Sequence, residues 1–404
     1  MKLLILGALF SSLFAAMIAP SAASSAVGDS EPIASDYKLL DPITHGDLTV
    51  FPVVSSRSHD TSQFLTLDEG IRSGEVLVTE VGNLHTMIRR RPFPDGVAGA
   101  ARVNNLVLVN NSERPLILLA GEIVTGGKQD RVVGKDRIVP AESDPVDLGV
   151  FCVEPHRWVE TSYKFDTHAS VMAQPSVRKR AMAEKSQEQV WAEVGKAKGE
   201  MAENLRAAAA APAQPGSGNG AGTPVVGGSG AGVSAFRGVP SASETVEVTA
   251  AAAEVDGTSS YAAARANKVV EKQIESITEP MQKSYESLIK RLRNQNAVGV
   301  VVAVRGRIVW ADLFASTALL SKYWPKLLQS YAAEALTTTG DHRDISVNEA
   351  QQFLDNWQAR HETVESEPGL YRQRELVGDR FRAFELTSLL PKASFDVHLS
   401  KMAE

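Results

Sequence analysis

The densest group of polar side chains in the sequence surrounds a pair of adjacent glycines. After Gly126 and Gly127 come Lys128, Gln129 and Arg131. Two glycines in a row adopt backbone angles closed to other residues, so consecutive N–H groups can face an anion. The lysine and the arginine add positive charge, and the glutamine offers both a donor and an acceptor to a ribose or an amide. We therefore predict a loop that binds an anionic small molecule.

Two carboxylates, Glu122 and Glu154, flank this loop in the sequence. Burial raises the pKa of a carboxyl group, which then exchanges protons near neutral pH. We predict these glutamates as the catalytic acid/base candidates and Arg157 and Trp158 as further ligand-binding residues. A structural interpretation stays open, in which the glutamates pair with the basic side chains of the same stretch and tie strands and loop together.

The other nucleophiles and metal-type residues do not form a recognisable site. Cys152 and His156 lie four residues apart, which on a strand is about 13 Å, so the cysteine is interpreted as a buried apolar residue, with a reactive thiol as the alternative. The eight histidines show no metal-binding spacing. His398 alternates with apolar strand residues and is interpreted as a satisfied edge or core side chain. We predict neither a metal nor a cofactor.

The composition limits the class of protein. The 404 residues include 42 Lys and Arg against 48 Asp and Glu, a net charge of −6, with 43% hydrophobic residues and one cysteine. This acidity argues against a protein dedicated to nucleic acid, and the hydrophobic share excludes a wholly disordered chain. A single cysteine excludes an internal disulfide framework.

The first residues, 1–26, predict a secretory signal peptide. A positive charge precedes an apolar stretch from Leu3 to Ala19, and small residues then suit cleavage after Ala23 or Ala26. An uncleaved N-terminal anchor is the alternative. No later stretch is long and apolar enough to cross a bilayer. We expect a soluble mature chain without a membrane span, secreted or periplasmic.

The elements that position the glycine loop predict an α+β fold. Residues 37–175 form a strand-rich part that carries the loop, and 176–206 form a helical segment. Residues 207–260 are a low-complexity Gly/Ala-rich flexible loop, and 261–400 form an α/β part with a helix-and-hairpin pattern that packs on the first as one domain. Strands followed by helices and then strands are typical of α+β folds.

Several local signals support this plan. Thr66 and Glu69 have capping-box spacing, Arg305 and Gly306 separate two strands by a two-residue turn, and Ser346 opens a helix. Pro52 predicts an edge position for its strand, because proline cannot donate to a strand ladder. These signals fix element ends without indicating a function.

The stretch Leu119–Trp158 resembles the ADP-ribosylglycohydrolase- and rhodanese-phosphatase-associated protein domain. Supporting matches are Thr66–Glu69, Asp312–Phe314 and Trp324–Tyr331. At Asp130 the family usually has asparagine. The resemblance implies an ADP-ribose or nucleotide-linked role.

Together these features predict recognition or processing of a phosphate- or ribose-bearing small molecule, similar to ADP-ribose. The alternative is a non-catalytic extracytoplasmic binding or scaffold module. The two short basic runs, residues 89–91 and 178–180, are interpreted as solvated faces rather than a nucleic-acid surface. Enzymatic activity and protein partners are left open by the sequence.

Overall fold

Two consecutive residues with positive φ, Arg305 at 51° and Gly306 at 75°, close a tight turn in the C-terminal half. A two-residue hairpin turn of this type requires such a pair. The turn joins the antiparallel strands Asn296–Val304 and Arg307–Phe314, so the predicted hairpin is confirmed. This hairpin lies in the middle of the largest sheet of the protein.

A computed structural model describes residues 36–83, 106–155, 157, 160–167, 171–210, 242–292 and 295–404. All of them belong to one compact unit, Ala34–Glu404. The predicted signal peptide and Trp158 lie outside the described residues. No helix among those described has the length and apolarity needed to cross a membrane.

The described residues form nineteen strands. In chain order they are β1 (Lys38–Leu39), β2 (Ile43–His45), β3 (Leu48–Ser55), β4 (Leu65–Thr66), β5 (Val76–Glu80), β6 (Leu106–Asn110), β7 (Leu116–Leu118), β8 (Ile123–Gly126), β9 (Arg131–Val133), β10 (Arg137–Val139), β11 (Val146–Asp147), β12 (Val150–Cys152), β13 (Phe165–Asp166), β14 (Asn296–Val304), β15 (Arg307–Phe314), β16 (Ala359–Glu367), β17 (Tyr371–Gly378), β18 (Phe381–Leu390) and β19 (Ala393–Ala403).

Eight helices accompany these strands in the described parts of the chain. They are α1 (Leu67–Ser73), α2 (Pro175–Lys179), α3 (Gln187–Ala210), α4 (Ala242–Gly257), α5 (Tyr261–Arg265), α6 (Lys268–Ile289), α7 (Thr317–Thr337) and α8 (Val347–Asp355). A π-helical turn, Arg180–Glu184, follows α2. The predicted capping box is confirmed, since the Thr66 hydroxyl and the Glu69 carboxylate each accept from the other's backbone N–H.

The strands divide into one large and three small sheets. The large antiparallel sheet has the order β1-β3-β14-β15-β19-β18-β17-β16, with β2 also paired to β3. The small sheets, β10-β7-β4, β11-β6-β5 and β12-β9-β8-β13, come from the N-terminal half and carry the glycine loop. This arrangement confirms the α+β class and the strand-rich N-terminal half.

One apolar core joins the two halves of the chain. It contains Ile117 and Val132 from the small sheets together with Val300 and Leu386 from the large sheet. Helix α7 contributes Leu327 to the same core and packs against β14. The small sheets and the large sheet are therefore held by shared apolar burial, the main favourable contribution to folding.

Three sequence expectations differ from the structure. Pro52 lies in an inner strand, since β3 pairs with β14 on one side and with β1 and β2 on the other. Proline fits there because Pro52 falls in the gap between the residues that pair with β1 and those that pair with β2. Residues 242–257, expected in the flexible loop, form α4, since Val248, Ala252 and Val255 make a buried stripe at helical spacing. The helix of the helix-and-hairpin pattern expected at the start of residues 261–400 is divided into α5 and α6.

Candidate functional site

The glycine loop connects β8 to β9 and has the predicted unusual backbone. Gly126 has φ 128° and Gly127 has φ 51°. The N–H of Gly126 donates to a carboxylate oxygen of Asp130 at 3.2 Å. The N–H of Lys128 donates to Glu80 at 3.1 Å. The N–H of Gly127 donates to the Ser162 hydroxyl at 3.3 Å. The amides predicted to bind an external anion therefore bind groups of the chain itself, two of them carboxylates.

Glu154 and Arg157 pair with each other, and both also bond backbone atoms of this loop. Arg157 Nε lies 2.6 Å from Glu154 Oε1, and its Nη1 donates to the carbonyl of Gly127 at 3.2 Å. The second carboxylate oxygen of Glu154 accepts from the N–H of Asp130 at 3.0 Å. Burial raises the pKa of Asp130. These contacts match the structural interpretation, in which charged pairs tie strand and loop together.

Gln129 and Arg131 point into the protein rather than into a cleft. Arg131 is buried and donates to the carbonyl of Gln129 at 2.7 Å, and burial lowers the pKa of its guanidinium. The Gln129 amide nitrogen donates to the carbonyl of Glu154 at 2.9 Å. Cys152 is buried beside them, its thiol donates to the same carbonyl, and burial raises the pKa of the thiol.

Glu122 belongs to a different cluster from Glu154. Its carboxylate bonds the buried ammonium of Lys326, which also donates to Asp68 at 2.9 Å. Burial raises the pKa of Glu122 against the opposing charge of Lys326. The cluster joins α1, the residue before β8 and α7, the segments that carry three of the family-like motifs. The charged residues of those motifs were a sequence signal that such partners exist, but they do not specify which charges pair.

A second buried cluster surrounds His398 on β19. Its Nδ1 lies 2.6 Å from Asp136 and its Nε2 lies 3.1 Å from Asp312. A ring that donates to two carboxylates carries a proton on each nitrogen, so His398 is an imidazolium. Burial alone would lower its pKa, but Asp136 and Asp312 outweigh that effect and raise it to about 9.

Asp312 is the centre of this network. Arg178 donates to both of its oxygens, at 2.9 and 3.1 Å, and the Tyr331 hydroxyl donates to it as well. Burial opposes ionisation, yet the charge of Arg178 and the bond from His398 hold the pKa of Asp312 far below its usual value. With Asp136, two carboxylates face one guanidinium and one imidazolium. All five side chains are buried, so the network is closed to solvent in this structure. The interpretation of residues 178–180 as a solvated face is therefore wrong for Arg178, whose charge is paired inside the core.

The cavity with the form of a small-molecule site lies elsewhere, between the small sheets and the outer strands of the large sheet. Its volume is about 350 Å³, within the range of ligand sites. The lining residues are Gly134, Lys135, Asp147, Gly149, Val150, Phe151, Ala181, Met182, Lys185, Thr363, Glu365, Gln373, Glu375 and Phe384. None of the eight predicted site residues that the structure describes is among them.

The cavity walls come from parts of the chain that are far apart in sequence. The first wall contains the turns around β9 and β12, and the second contains the π-helical turn and Lys185. Strands β16, β17 and β18 form the third wall. π-Helical turns occur often at functional sites. Sequence spacing gave no signal for this site, because folding alone brings the three walls together.

Most of the predicted site residues lie close together, but their polar groups bond to one another. The loop brings Gly126, Gly127, Gln129 and Glu154 together around Arg157, whereas Glu122 lies apart. Their ligand-binding and acid/base roles stay predictions. Within the described residues, no group of three or more metal-type side chains is arranged to hold an ion.

Comparison with known proteins gives one match. The family model of the ARG and Rhodanese-Phosphatase-superfamily-associated Protein domain matches residues 36–402. This range contains the glycine loop, both buried charge clusters and the cavity. No curated protein and no solved structure matches the chain.

Proposed function

Because the chain belongs to the ARG and Rhodanese-Phosphatase-superfamily-associated Protein domain family, we propose that it binds a phosphate- or ribose-bearing small molecule similar to ADP-ribose. The association of the family with ADP-ribosylglycohydrolase systems favours this ligand class. The observation that carries the proposal is the cavity, whose lining offers one kind of group for each part of such a molecule.

The apolar part of the cavity suits a planar ring. Phe151 and Phe384 come from different walls, and Val150 and Met182 add further apolar side chains to the lining. Aromatic and aliphatic surfaces of this kind bind a heterocycle through burial and ring contacts. We assign the base of the ligand to this surface.

The polar part of the cavity suits phosphate and ribose. Lys135 and Lys185 present ammonium groups, which bind phosphate oxygens as point charges. Thr363 and Gln373 present neutral donors and acceptors that match ribose hydroxyls. Charged and neutral polar groups therefore border the same apolar surface.

We propose recognition rather than turnover as the role of this site. The two glutamates predicted as acid/base candidates each hold an ion pair inside the fold, Glu122 with Lys326 and Glu154 with Arg157. Removing a carboxylate from such a pair leaves the other charge unpaired. We therefore expect its loss to lower the stability of the fold rather than to abolish a chemical step.

The proposed site is tested by placing a large side chain at Thr363, one of the residues that line the cavity. We expect Thr363→Trp to weaken ADP-ribose binding by about tenfold or more, which corresponds to about 1.4 kcal/mol, because the indole occupies the ligand's space. Isothermal titration calorimetry measures the effect. Val364→Trp is the matched control, since neighbouring side chains of a strand point to opposite faces and Val364 is 50% exposed.

Adenosine, AMP and ribose 5-phosphate extend the titration to the separate parts of the ligand. Equal affinity losses in the two tryptophan variants would place the ligand outside the cavity. Failure of all four compounds to bind the wild-type protein at millimolar concentration would reject the proposed function and favour a scaffold module.

We also propose that the protein is exported, on the basis of the signal-like residues 1–26. Expressed in full, the chain is expected to be shortened after Ala23 or Ala26, as measured by intact mass in the extracytoplasmic fraction. Leu9→Asp breaks the apolar stretch and should leave the full-length chain inside the cell, whereas Ser11→Ala should be processed normally. Identical fractionation of the two variants would contradict export by this segment.

A further inference from the structure

The two lysines of the cavity are already paired with glutamates of the opposite wall. Lys135 Nζ lies 2.6 Å from Glu365 on β16, and Lys185 Nζ lies 3.4 Å from Glu375 on β17. All four residues line the cavity. Each positive group that suits a phosphate therefore has a carboxylate beside it in the structure.

Glu365 is surrounded by more than one positive group. Its hydrogen bond to Lys135 and the charges of Lys135, Lys185 and Arg137 hold the pKa of this carboxyl below its usual value. The carboxylate is thus attracted by both lysines of the cavity, although it bonds only one of them directly. A single anion at the same place would experience the same attraction.

These ion pairs are exposed enough to exchange partners. The side chains of Lys135 and Glu365 are 35% and 52% exposed. In the second pair Lys185 is 53% exposed, whereas Glu375 is 18% exposed, so the lysine is the partner that can leave most easily. Pairs this accessible contribute little to stability, because water solvates the separated charges well. Strand β16 is exposed along its whole length, so its side chains can rearrange at small cost.

Glu375 has a second positive neighbour that can keep it paired. Arg382 Nη1 lies 3.8 Å from Glu375 Oε1. When Lys185 leaves, the carboxylate still has a guanidinium nearby. The exchange therefore need not leave an unpaired charge at the cavity edge.

We propose that Glu365 and Glu375 are internal competitors of the ligand's phosphate, so that a ligand binds Lys135 and Lys185 by displacing the two carboxylates. The inference rests on the proposed function. Its consequence is selectivity. A molecule with a strongly anionic group forms new contacts with the lysines that offset the broken ion pairs, whereas a neutral molecule with the same ring does not.

The test is the double variant Glu365→Gln/Glu375→Gln, titrated with ADP-ribose and with adenosine by calorimetry. Removing the competitors is expected to tighten ADP-ribose binding by about three- to tenfold, as for two partly exposed ion pairs, and to leave adenosine binding within about twofold. Circular dichroism verifies that the variants are folded.

The matched control is Glu362→Gln/Glu367→Gln. It also removes two negative charges, both from the edge strand β16 of the same sheet, but neither residue lines the cavity. Glu362 pairs with Arg374 and Glu367 with Arg137. If both double variants tighten ADP-ribose binding equally, only net charge matters and the inference is overturned. If wild-type protein binds no ADP-ribose, the proposed function itself fails. If it binds and the Glu365/Glu375 variant is no tighter, only the competitor role fails.

Discussion

Replacing Asp312 with alanine is expected to lower the free energy of unfolding by about 3 to 5 kcal/mol, the usual effect of breaking a buried ion pair by removing one partner. Three donors lose their acceptor at once: Arg178, Tyr331 and His398. The guanidinium of Arg178 is then left in the core, above the ring of Trp310 at 4.4 Å. Urea denaturation followed by tryptophan fluorescence measures the change.

Asp379→Ala provides the matched comparison. Asp379 also pairs with an arginine, Arg360, but its side chain is 63% exposed. Exposed pairs are worth about 0 to 1 kcal/mol, so this variant should unfold close to the wild-type midpoint. Similar midpoints for the two alanine variants would show that the Asp312 network is not a main source of stability.

His398 and Lys401 are expected to give opposite pH dependences of stability. Between the unfolded pKa of 6.5 and the folded pKa of about 9, His398 keeps its proton only in the folded state. Its contribution is complete below pH 6.5 and is lost as the pH rises through 9. For this residue alone, stability falls with rising pH.

Lys401 has the opposite effect on the pH dependence of stability. Its ammonium is buried among the rings of Phe353, Trp357 and Phe381, at 4.3 to 4.7 Å. Burial lowers its pKa to about 7 from 10.5 in spite of the charge of Asp355. Between these values only the unfolded chain keeps the proton, so stability rises with pH.

The two contributions overlap between pH 7 and 9 and are expected to cancel in large part in the wild type. His398→Gln should make stability rise across this interval, and Lys401→Met should make it fall, each by on the order of 2 kcal/mol. Urea midpoints at pH 7, 8 and 9 measure both slopes. Parallel slopes in the two variants would contradict the assignment, and an NMR titration of the wild-type His398 ring provides an independent value.

The two buried clusters bring together charged residues from family-like motifs that are far apart in the sequence. Asp68, Glu122 and Lys326 form one cluster and come from three motif segments. Asp312, from a fourth segment, is the centre of the other. Charged residues in such motifs are therefore consistent with a requirement to fold as well as with ligand binding.

The sequence by itself determined features that depend on neighbouring residues. The turn at Arg305 and Gly306, the cap at Thr66 and the α+β class follow from local backbone preferences and from the spacing of apolar residues. The family followed from a long local motif. Helix α4 was missed because its alanine-rich composition hid a buried stripe that only packing against α3 defines.

Only the tertiary structure decided which charges meet. Glu122 and Lys326 are 204 residues apart, and Lys135 and Glu365 are 230 apart. Charge type indicates that such residues need partners, but many pairings satisfy that need equally well. The choice among them depends on the arrangement of strands and helices, which is set by shared apolar burial. For that reason a dense polar motif was visible in the sequence, whereas the cavity was visible only after folding.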